Sequence, residues 1–302
     1  MFRFTFLFCY MLTLQLLIAQ YGHLTIDLDE LQTINLRSMS TQDSLDILIT
    51  NDTTLKISNT ENNLFYLQRY NTNYYLYLAD NEFHSTMVHI SDSIHVSGNN
   101  SHFIIFLNEY INLYQSKFDI QLSTSNYVSI DELEIYLYNL INNDIYNFYN
   151  NHRYFHLFSP SMRAFFEALL KYEYLSSISY VLFQHQQDKL IIDQDNNQLI
   201  LELTNLKWLD WGDLMNSFKD VPYYGWSIFQ DYTFNALFLF ALNDYNSGIN
   251  NINSFQNFTL YFLNFIYQHA PIDLRFIYLQ KMVHNYSDLL QKNTFEYIIQ
   301  FL

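Results

Sequence analysis

Two short stretches of the chain place residue types that do chemistry at regular spacings. The first is WLDWGD, in which Trp208 and Trp211 lie beside the carboxylates of Asp210 and Asp213. Trp rings stack on sugars and paired carboxylates hydrolyse glycosidic bonds, so this pattern predicts a carbohydrate site. The competing interpretation is structural. Residues three apart share a helix face, so the two Trp side chains would form a packing face while Asp210 points elsewhere.

The second stretch is HRYFH, which would place His152 and His156 one helical turn apart, as a metal ion requires. It lacks the Glu that follows the first His of a metalloprotease motif, and no third ligand lies nearby in sequence. Pro160 follows closely, which argues against a helix here. We therefore expect these histidines to lie at the surface or in an interface, and we predict no metal site.

Four more histidines fall in the region predicted to be β-structure: His84, His89, His95 and His102. Their separations are both odd and even, so they cannot all face one side of a single continuous strand. They occupy different strands, and the sequence neither predicts nor excludes a site where they converge.

Glycine and cysteine contents exclude several classes of site. With 5 Gly in the chain, no glycine-rich phosphate loop is present, and no nucleotide cofactor is predicted. Cys9 is the single cysteine and lies in the apolar opening segment, so disulfides, thiolate metal sites and Cys nucleophiles are excluded from the rest of the chain. We predict no cofactor, and no sequence motif supports an enzyme.

The chain is strongly acidic, with 30 Asp and Glu against 14 Lys and Arg and a net charge of −16. Such a field repels phosphate backbones and anionic headgroups, so we predict no nucleic-acid partner. Basic proteins or cations are the natural partners. The alternative is that the charge serves only as a solvated surface.

The first 23 residues form an apolar segment with one Arg in front and acidic residues behind. Extended to Ile26, the segment just reaches the length of a single membrane span, and we expect a retained anchor with the acidic bulk on the non-cytoplasmic side. A cleaved secretory signal is the alternative, with a mature N-terminus at about Gln20 and glycans on Asn51 or Asn257. A core helix of a soluble protein is the third possibility.

Residues 24–128 are predicted to form an antiparallel sandwich or a strongly twisted sheet. LDILITNDTTLKIS and LFYLQRYNTNYYLYL are typical of hairpins, and LTIDL, TMVHI, SIHVS, HFIIFL, FDIQLS and NYVS are typical of strands. These runs define the predicted β-rich domain.

Residues 129–302 change to helical spacing. A capping box at Ser129–Glu132 and a Ser159–Pro160 cap predict helix starts, and KLIIDQDNNQLILEL predicts one inserted hairpin. Further helices are predicted at about 206–218, 226–243, 254–269, 271–284 and 287–302. The predicted fold class is α+β, with an N-terminal apolar helix, an antiparallel β-rich region and an all-helical region containing the hairpin.

Tyr and Phe occur around much of the circumference of the predicted helices, not along one stripe. Such helices bury more than one face, either in a thick core or against other chains. The second possibility indicates a subunit of an assembly. An AT-rich genome that inflates aromatic content is an equal alternative.

In composition the chain resembles the lineage-specific accessory subunits encoded in ciliate mitochondrial genomes. The shared features are abundant Phe, Tyr, Asn, Leu and Ile, scarce Gly and Pro, and one Cys. The resemblance implies an inner-membrane protein whose acidic body faces the intermembrane space in a respiratory complex. The net charge of −16 motivates the further hypothesis that a basic protein such as cytochrome c lies beside it. It assigns no functional residue.

Three functions follow from these patterns. The favoured hypothesis is a non-catalytic, membrane-anchored accessory subunit whose partners are other protein subunits. The second is a secreted or cell-surface protein of an AT-rich protist that binds or hydrolyses carbohydrate through Trp208 and Trp211. The third is a soluble hydrolase that uses Asp210, Asp213 or histidines.

Overall fold

The computed structural model describes residues 21–28, 34–38, 46–49, 53–58, 63–69, 72–78, 85–90, 94–98, 100–118, 130–192, 209–220, 223–248 and 255–286. The predicted N-terminal apolar helix lies outside these residues except at its end. There, Tyr21–His23 belong to a β-strand that pairs with residues 56–58, so the last three residues of the predicted helix were wrongly assigned.

Eight strands occupy the first hundred residues. They are β1 (Tyr21–Leu28), β2 (Ile34–Ser38), β3 (Asp46–Ile49), β4 (Thr53–Ser58), β5 (Asn63–Arg69), β6 (Thr72–Leu78), β7 (Ser85–Ile90) and β8 (Ile94–Gly98). They form two four-stranded sheets with the orders β4-β1-β7-β8 and β3-β2-β5-β6. Short, regularly spaced runs of β-branched and aromatic residues explain why strands form here.

The pairing of the strands differs from the prediction in two ways. The run LDILITNDTTLKIS gives two strands but no hairpin, because β3 pairs with β2 in one sheet and β4 pairs with β1 in the other. The pair β1–β7 is parallel, so the region is not wholly antiparallel. The second predicted hairpin is confirmed as β5–β6. A turn signal therefore located the strand ends without fixing their partners.

Eight α-helices of six or more residues and one 3-10 helix follow the strands in the described part of the chain, together with a three-residue α-helical turn at Ser116–Phe118. The α-helices are α1 (Ser101–Tyr110), α2 (Ile130–Asn139), α3 (Tyr146–Asn151), α4 (Pro160–Ile192), α5 (Trp211–Ser217), α6 (Ser227–Gly248), α7 (Phe255–His269) and α8 (Ile272–Tyr286), and the 3-10 helix is Phe155–Leu157. π-Helical turns extend α1 over Ile111–Gln115 and join α2 to α3 over Leu140–Ile145.

Most predicted helix starts are confirmed. α4 begins at Pro160, and the Ser159 hydroxyl accepts the Met162 N–H at 3.3 Å, as the cap signal predicted. α6, α7 and α8 begin within about one residue of their predicted starts. The part of the chain that the structure describes contains no helix that is both long and apolar enough to cross a bilayer.

Two segments predicted as strands are helical. HFIIFL lies in α1, where Phe103, Phe106 and Leu107 are fully buried at helical spacing. The first residues of the predicted hairpin, 189–192, continue α4. A short apolar run cannot be assigned to a strand or a buried helix by its periodicity alone, which accounts for the first error. The rest of the hairpin, FDIQLS beyond Phe118 and NYVS lie outside the described residues.

The chain divides into two compact units that interleave along the sequence. One contains residues 1–117 and 141–169, and the other contains 118–140 and 170–302. The predicted boundary at residues 128 and 129 remains a prediction.

The core of the first unit forms around Tyr77 of β6. The ring of Tyr77 lies 5.1 Å from that of Phe103 and 4.4 Å from that of Phe165. Leu76 points to the opposite face of the same strand and is also fully buried. β6 is therefore covered on both faces.

β6 is an edge strand, and a side chain from a helix bonds to the backbone N–H and C=O of one residue on its outer edge. The amide of Asn108 in α1 accepts the Tyr75 N–H at 2.8 Å and donates to the Tyr75 carbonyl at 2.7 Å. It also donates to the Ile104 carbonyl at 2.8 Å. The side chain thus takes the place of a neighbouring strand's peptide group at this position.

The core of the second unit forms around α6. Residues 232–239 are all buried, and this run spans more than two helical turns. Every side of α6 is therefore covered by the chain itself. Helices with aromatic residues on all sides were expected to be buried either in a thick core or against other chains, and this helix is buried in a thick core.

We predict that Asn108→Ala lowers the free energy of unfolding by about 1–3 kcal/mol, because it removes the side chain that bonds both the N–H and the C=O of the part-buried Tyr75 peptide group. Asn112→Ala, at an exposed position in the π-helical extension of α1, serves as the control and should change stability by less than about 0.5 kcal/mol. Urea denaturation of both variants measures the difference. Equal midpoints would show that Asn108 contributes nothing at this edge.

Candidate functional site

The WLDWGD stretch forms the start of α5. Trp208 lies outside the described residues. Asp210 is exposed and is the N-cap of the helix, since its Oδ1 accepts the Asp213 N–H at 2.9 Å. Asp213 lies in the first turn, where a negative charge interacts favourably with the helix dipole. Both carboxylates therefore stabilise the helix start.

Gly212 makes room for this cap. A Cβ atom at position 212 would lie 2.9 Å from Asp210 Oδ1, which is closer than real contacts allow. Any larger residue would displace the carboxylate from the Asp213 N–H. The absence of a side chain at Gly212 therefore allows the Asp210 carboxylate to cap the helix.

Trp211 packs inside the second unit. Its ring makes edge-on contacts with Phe240 at 5.1 Å, Phe265 at 5.8 Å and His269 at 5.1 Å. The contacts use the face-and-edge geometry that aromatic groups prefer. The ring is half-buried in these contacts. Trp208 lies outside the described residues, so a packing face shared by the two Trp side chains stays a prediction.

A cluster of hydroxyl and carboxyl groups surrounds the C-terminal end of α5. The Tyr172 hydroxyl donates to Asp220, and Lys171 lies 3.7 Å from the same carboxylate. The Ser217 hydroxyl donates to the Asp213 carbonyl at 2.9 Å. Burial and the bond to Asp220 raise the pKa of Tyr172.

Tyr232 adds a second buried phenol to this cluster. Burial is the largest cause of its raised pKa, and the nearby carboxylates of Asp213 and Asp210 act in the same direction. Both phenols therefore stay protonated at neutral pH and act as hydrogen-bond donors, not as bases.

His152 is held at the end of α3 and not within a helix. Its backbone leaves the helix with a ψ of 136°, so the predicted one-turn spacing to His156 is not formed. Nε2 lies 3.1 Å from Glu109 Oε2, and Nδ1 accepts the Tyr154 N–H at 3.3 Å. Since Nδ1 is an acceptor, Nε2 carries the proton and donates it to the carboxylate.

Glu109 and a set of rings complete the surroundings of His152. The Arg153 guanidinium donates to Glu109 Oε1 at 2.9 Å, and the imidazole is 4% exposed. Aromatic rings of four residues approach it within about 6 Å. They belong to Phe106, Phe148, Tyr154 and Phe158. Both ring nitrogens are engaged, so the imidazole is set as a structural donor and acceptor.

The phenol of Tyr74 lies near the same carboxylate. Burial, followed by the charge of Glu109, raises its pKa to about 12. The Tyr74 phenol therefore stays neutral beside the Glu109 carboxylate.

The other histidines are placed apart. His156 is exposed. His102 lies in α1, not on a strand, and its ring contacts Tyr154 at 4.5 Å. His84 lies outside the described residues, while His89 and His95 lie on the neighbouring strands β7 and β8. No three His, Cys, Asp or Glu side chains in the described ranges are arranged to hold a metal ion.

No sequence pattern predicts two of these contacts. Glu109–His152 and Tyr172–Asp220 join residues 43 and 48 positions apart, so no local spacing indicates them. Only the packing of α1 against the chain around α3, and of α4 against the chain after α5, brings the groups together.

Glu173 of α4 is a buried carboxyl group in the second unit, with 6% of its surface exposed. Burial raises its pKa from the ordinary 4.5 to about 8. The group is therefore mostly protonated at neutral pH, although its residue type contributes to the formal acid excess.

Comparison with known proteins identifies no relative: no family model matches the chain, and no curated protein matches its sequence.

We predict that Asp210→Ala destabilises the chain by about 1 kcal/mol, whereas Asp210→Asn changes stability little, because Asn also accepts a hydrogen bond at an N-cap. Urea denaturation of the two variants tests this. If both variants lose the same stability, the cap is not the role of Asp210. A hydrolytic role would instead require the acid, which Asn cannot replace.

We predict that the free energy of unfolding decreases as pH rises from about 4.5 to 8, because the folded chain keeps the Glu173 proton that the unfolded chain has lost. Glu173→Gln should remove this contribution. At pH 8 the variant should be more stable than the unaltered chain by a few kcal/mol, since one pKa unit is about 1.4 kcal/mol.

Urea denaturation at pH 5 and pH 8 measures this effect. Glu167→Gln, at an exposed position on the same helix, is the matched control. It should change the free energy of unfolding by the same amount at pH 5 and at pH 8. A Glu173→Gln variant with no advantage at pH 8 would contradict the assignment.

Proposed function

We propose that the chain is a non-catalytic accessory subunit of a larger protein assembly, held at a membrane by its N-terminal segment. The observation that carries the proposal is a pair of exposed apolar side chains on α8. Ile272 is 74% exposed and Phe276, one turn later, is 49% exposed. A water-exposed apolar face at this spacing is typical of a helix that contacts another protein.

A second exposed pair of the same kind lies on α2. Ile135 is 62% exposed and Tyr138 is 63% exposed, three residues apart. These pairs supply apolar surface for partners, while the aromatic core around α6 is complete within the chain. The proposed partner contacts are thus placed on the exposed faces of α8 and α2.

Other polar groups of the site support a structural role. Asp210 caps α5, Asp220 accepts from Tyr172, and His152 donates to Glu109. Each interaction fixes an element of the fold. The mitochondrial respiratory complex implied by the composition is the proposed setting, with a basic protein as one neighbour of the acidic surface.

We predict that Ile272→Ser/Phe276→Ser releases the chain from its assembly without lowering its own stability, because both side chains are exposed. Native electrophoresis of source membranes, followed by mass spectrometry, measures the mass of the assembly and the N-terminus of the chain. The matched control is Gln268→Ser/Gln280→Ser, which changes two exposed polar residues.

The expected result is a high-mass band that retains the N-terminal segment and is lost only in the apolar variant. Recovery of the unaltered chain as a dissolved single molecule that begins at about Gln20 would overturn the proposal. That outcome would favour the secreted alternative, which also requires glycans on Asn51 or Asn257.

A further inference from the structure

The exposed side of α8 carries an apolar stripe. Ile272 and Phe276 lie one helical turn apart on this side, whereas Leu274 and Tyr278 lie on the other side of the helix and are fully buried. The proposed accessory-subunit function rests on this exposed pair. The charges around the pair indicate which partner it fits.

Two charges of opposite sign flank the stripe. Successive residues of an α-helix are about 100° apart, so Asp273 and Arg275 fall on opposite sides of the line from Ile272 to Phe276. Asp273 is exposed and Arg275 is half-buried. The face therefore has an acidic edge, an apolar centre and a basic edge.

The basic edge is held in place by the end of α7. Arg275 Nε donates to the Ala270 carbonyl at 3.0 Å, and the guanidinium lies 4.7 Å from the centre of the Tyr267 ring. A guanidinium has further N–H donors beyond Nε, and it stays charged. The positive charge is thus fixed beside the stripe with donors left for a carboxylate.

This part of the surface also differs in charge from the chain as a whole. α7 and α8 contain one acidic and two basic residues, Asp273, Arg275 and Lys281, whereas the chain has a net charge of −16. Two copies of so acidic a chain repel each other over most of their surface. At α8 this repulsion is weakest, and a basic partner gains little attraction there.

A second copy matches this face by symmetry. A two-fold axis parallel to α8 brings the stripes of the two copies together, so Ile272 and Phe276 meet their counterparts in the seam. The same rotation exchanges the two flanks. Asp273 then faces the partner's Arg275 on each side of the seam, as oppositely charged residues do beside a parallel coiled coil.

We propose that the exposed face of α8 binds a second copy of this chain, in a two-fold pair of parallel α8 helices. Ile272 and Phe276 form the apolar centre of the contact, and the Asp273–Arg275 pairs fix its direction. This inference rests on the proposed function and names the partner of that face. The accessory subunit enters its assembly as a dimer.

Sedimentation equilibrium of the purified chain in density-matched detergent measures its mass. We expect a dimer. Ile272→Ser/Phe276→Ser should raise the dimer Kd by about 100-fold or more, because central apolar side chains carry most of the binding energy of a contact. Ile135→Ser/Tyr138→Ser, which changes the exposed pair on α2, is the matched control and should leave the dimer unchanged.

A charge exchange tests the direction and the edges of the contact. Asp273→Arg and Arg275→Glu each place like charges opposite one another on both flanks, so each variant should weaken its own dimer by about tenfold. A mixture of the two variants restores opposite charges on both flanks. It should form a heterodimer about as tight as the unaltered dimer, which also shows that both variants fold.

A monomeric unaltered chain would overturn the inference, as would a mixture that binds no better than either variant alone. If the chain is a monomer but the high-mass band still requires Ile272 and Phe276, the face binds a different subunit and the proposed function stands. If the chain dimerises and source membranes yield nothing larger than the dimer, the accessory function fails and the dimer contact stands.

Discussion

In the second unit the buried tyrosines carry a hydroxyl group into the core, and that hydroxyl requires a hydrogen-bond partner there. Tyr278 donates to Thr233, which in turn donates to the Phe229 carbonyl, and Tyr224 donates to the Phe218 carbonyl. The Asp220 carboxylate accepts the hydrogen bond of the buried Tyr172 in the same way.

The same requirement for hydrogen-bond partners is not met at every buried polar atom. In the described ranges, the Tyr149 hydroxyl and the Oδ1 of Asn100 have no hydrogen-bond partner. Burial is the main cause that raises the pKa of Tyr149, to about 12, so the phenol stays neutral. A neutral, unpaired hydroxyl costs less to bury than a charge would.

The starts of α4, α6, α7 and α8 were predictable because their signals are local. Ser159–Pro160 and the apolar spacing of α6, α7 and α8 lie within single segments, and the structure follows them closely. The sheet pairing was not predictable in the same way. Whether β4 pairs with β3 or with β1 depends on strands more than twenty residues away, and a local turn signal carries no information about them.

In the candidate site, too, contacts between residues close in sequence were easier to predict than contacts between residues far apart in sequence. The packing interpretation of WLDWGD rested on spacing, but the N-cap role of Asp210 was not anticipated, because the predicted helix began at about residue 206 and placed Asp210 inside it. The partner of His152 could not be anticipated, because Glu109 comes from another helix 43 positions earlier. Sequence reasoning finds chemistry that is contiguous and misses chemistry that the tertiary fold assembles.

The hydrogen bonds between Asn108 and Tyr75 also restrict the register of β6. N–H and C=O groups of successive strand residues point to alternate sides, so a slip by one residue would turn the peptide group at position 75 away from the amide. The same slip would exchange Leu76 and Tyr77 between the two faces. A single helix side chain therefore fixes the register of the second strand of the hairpin. At this residue it also occupies the edge position at which another polypeptide could add to the sheet.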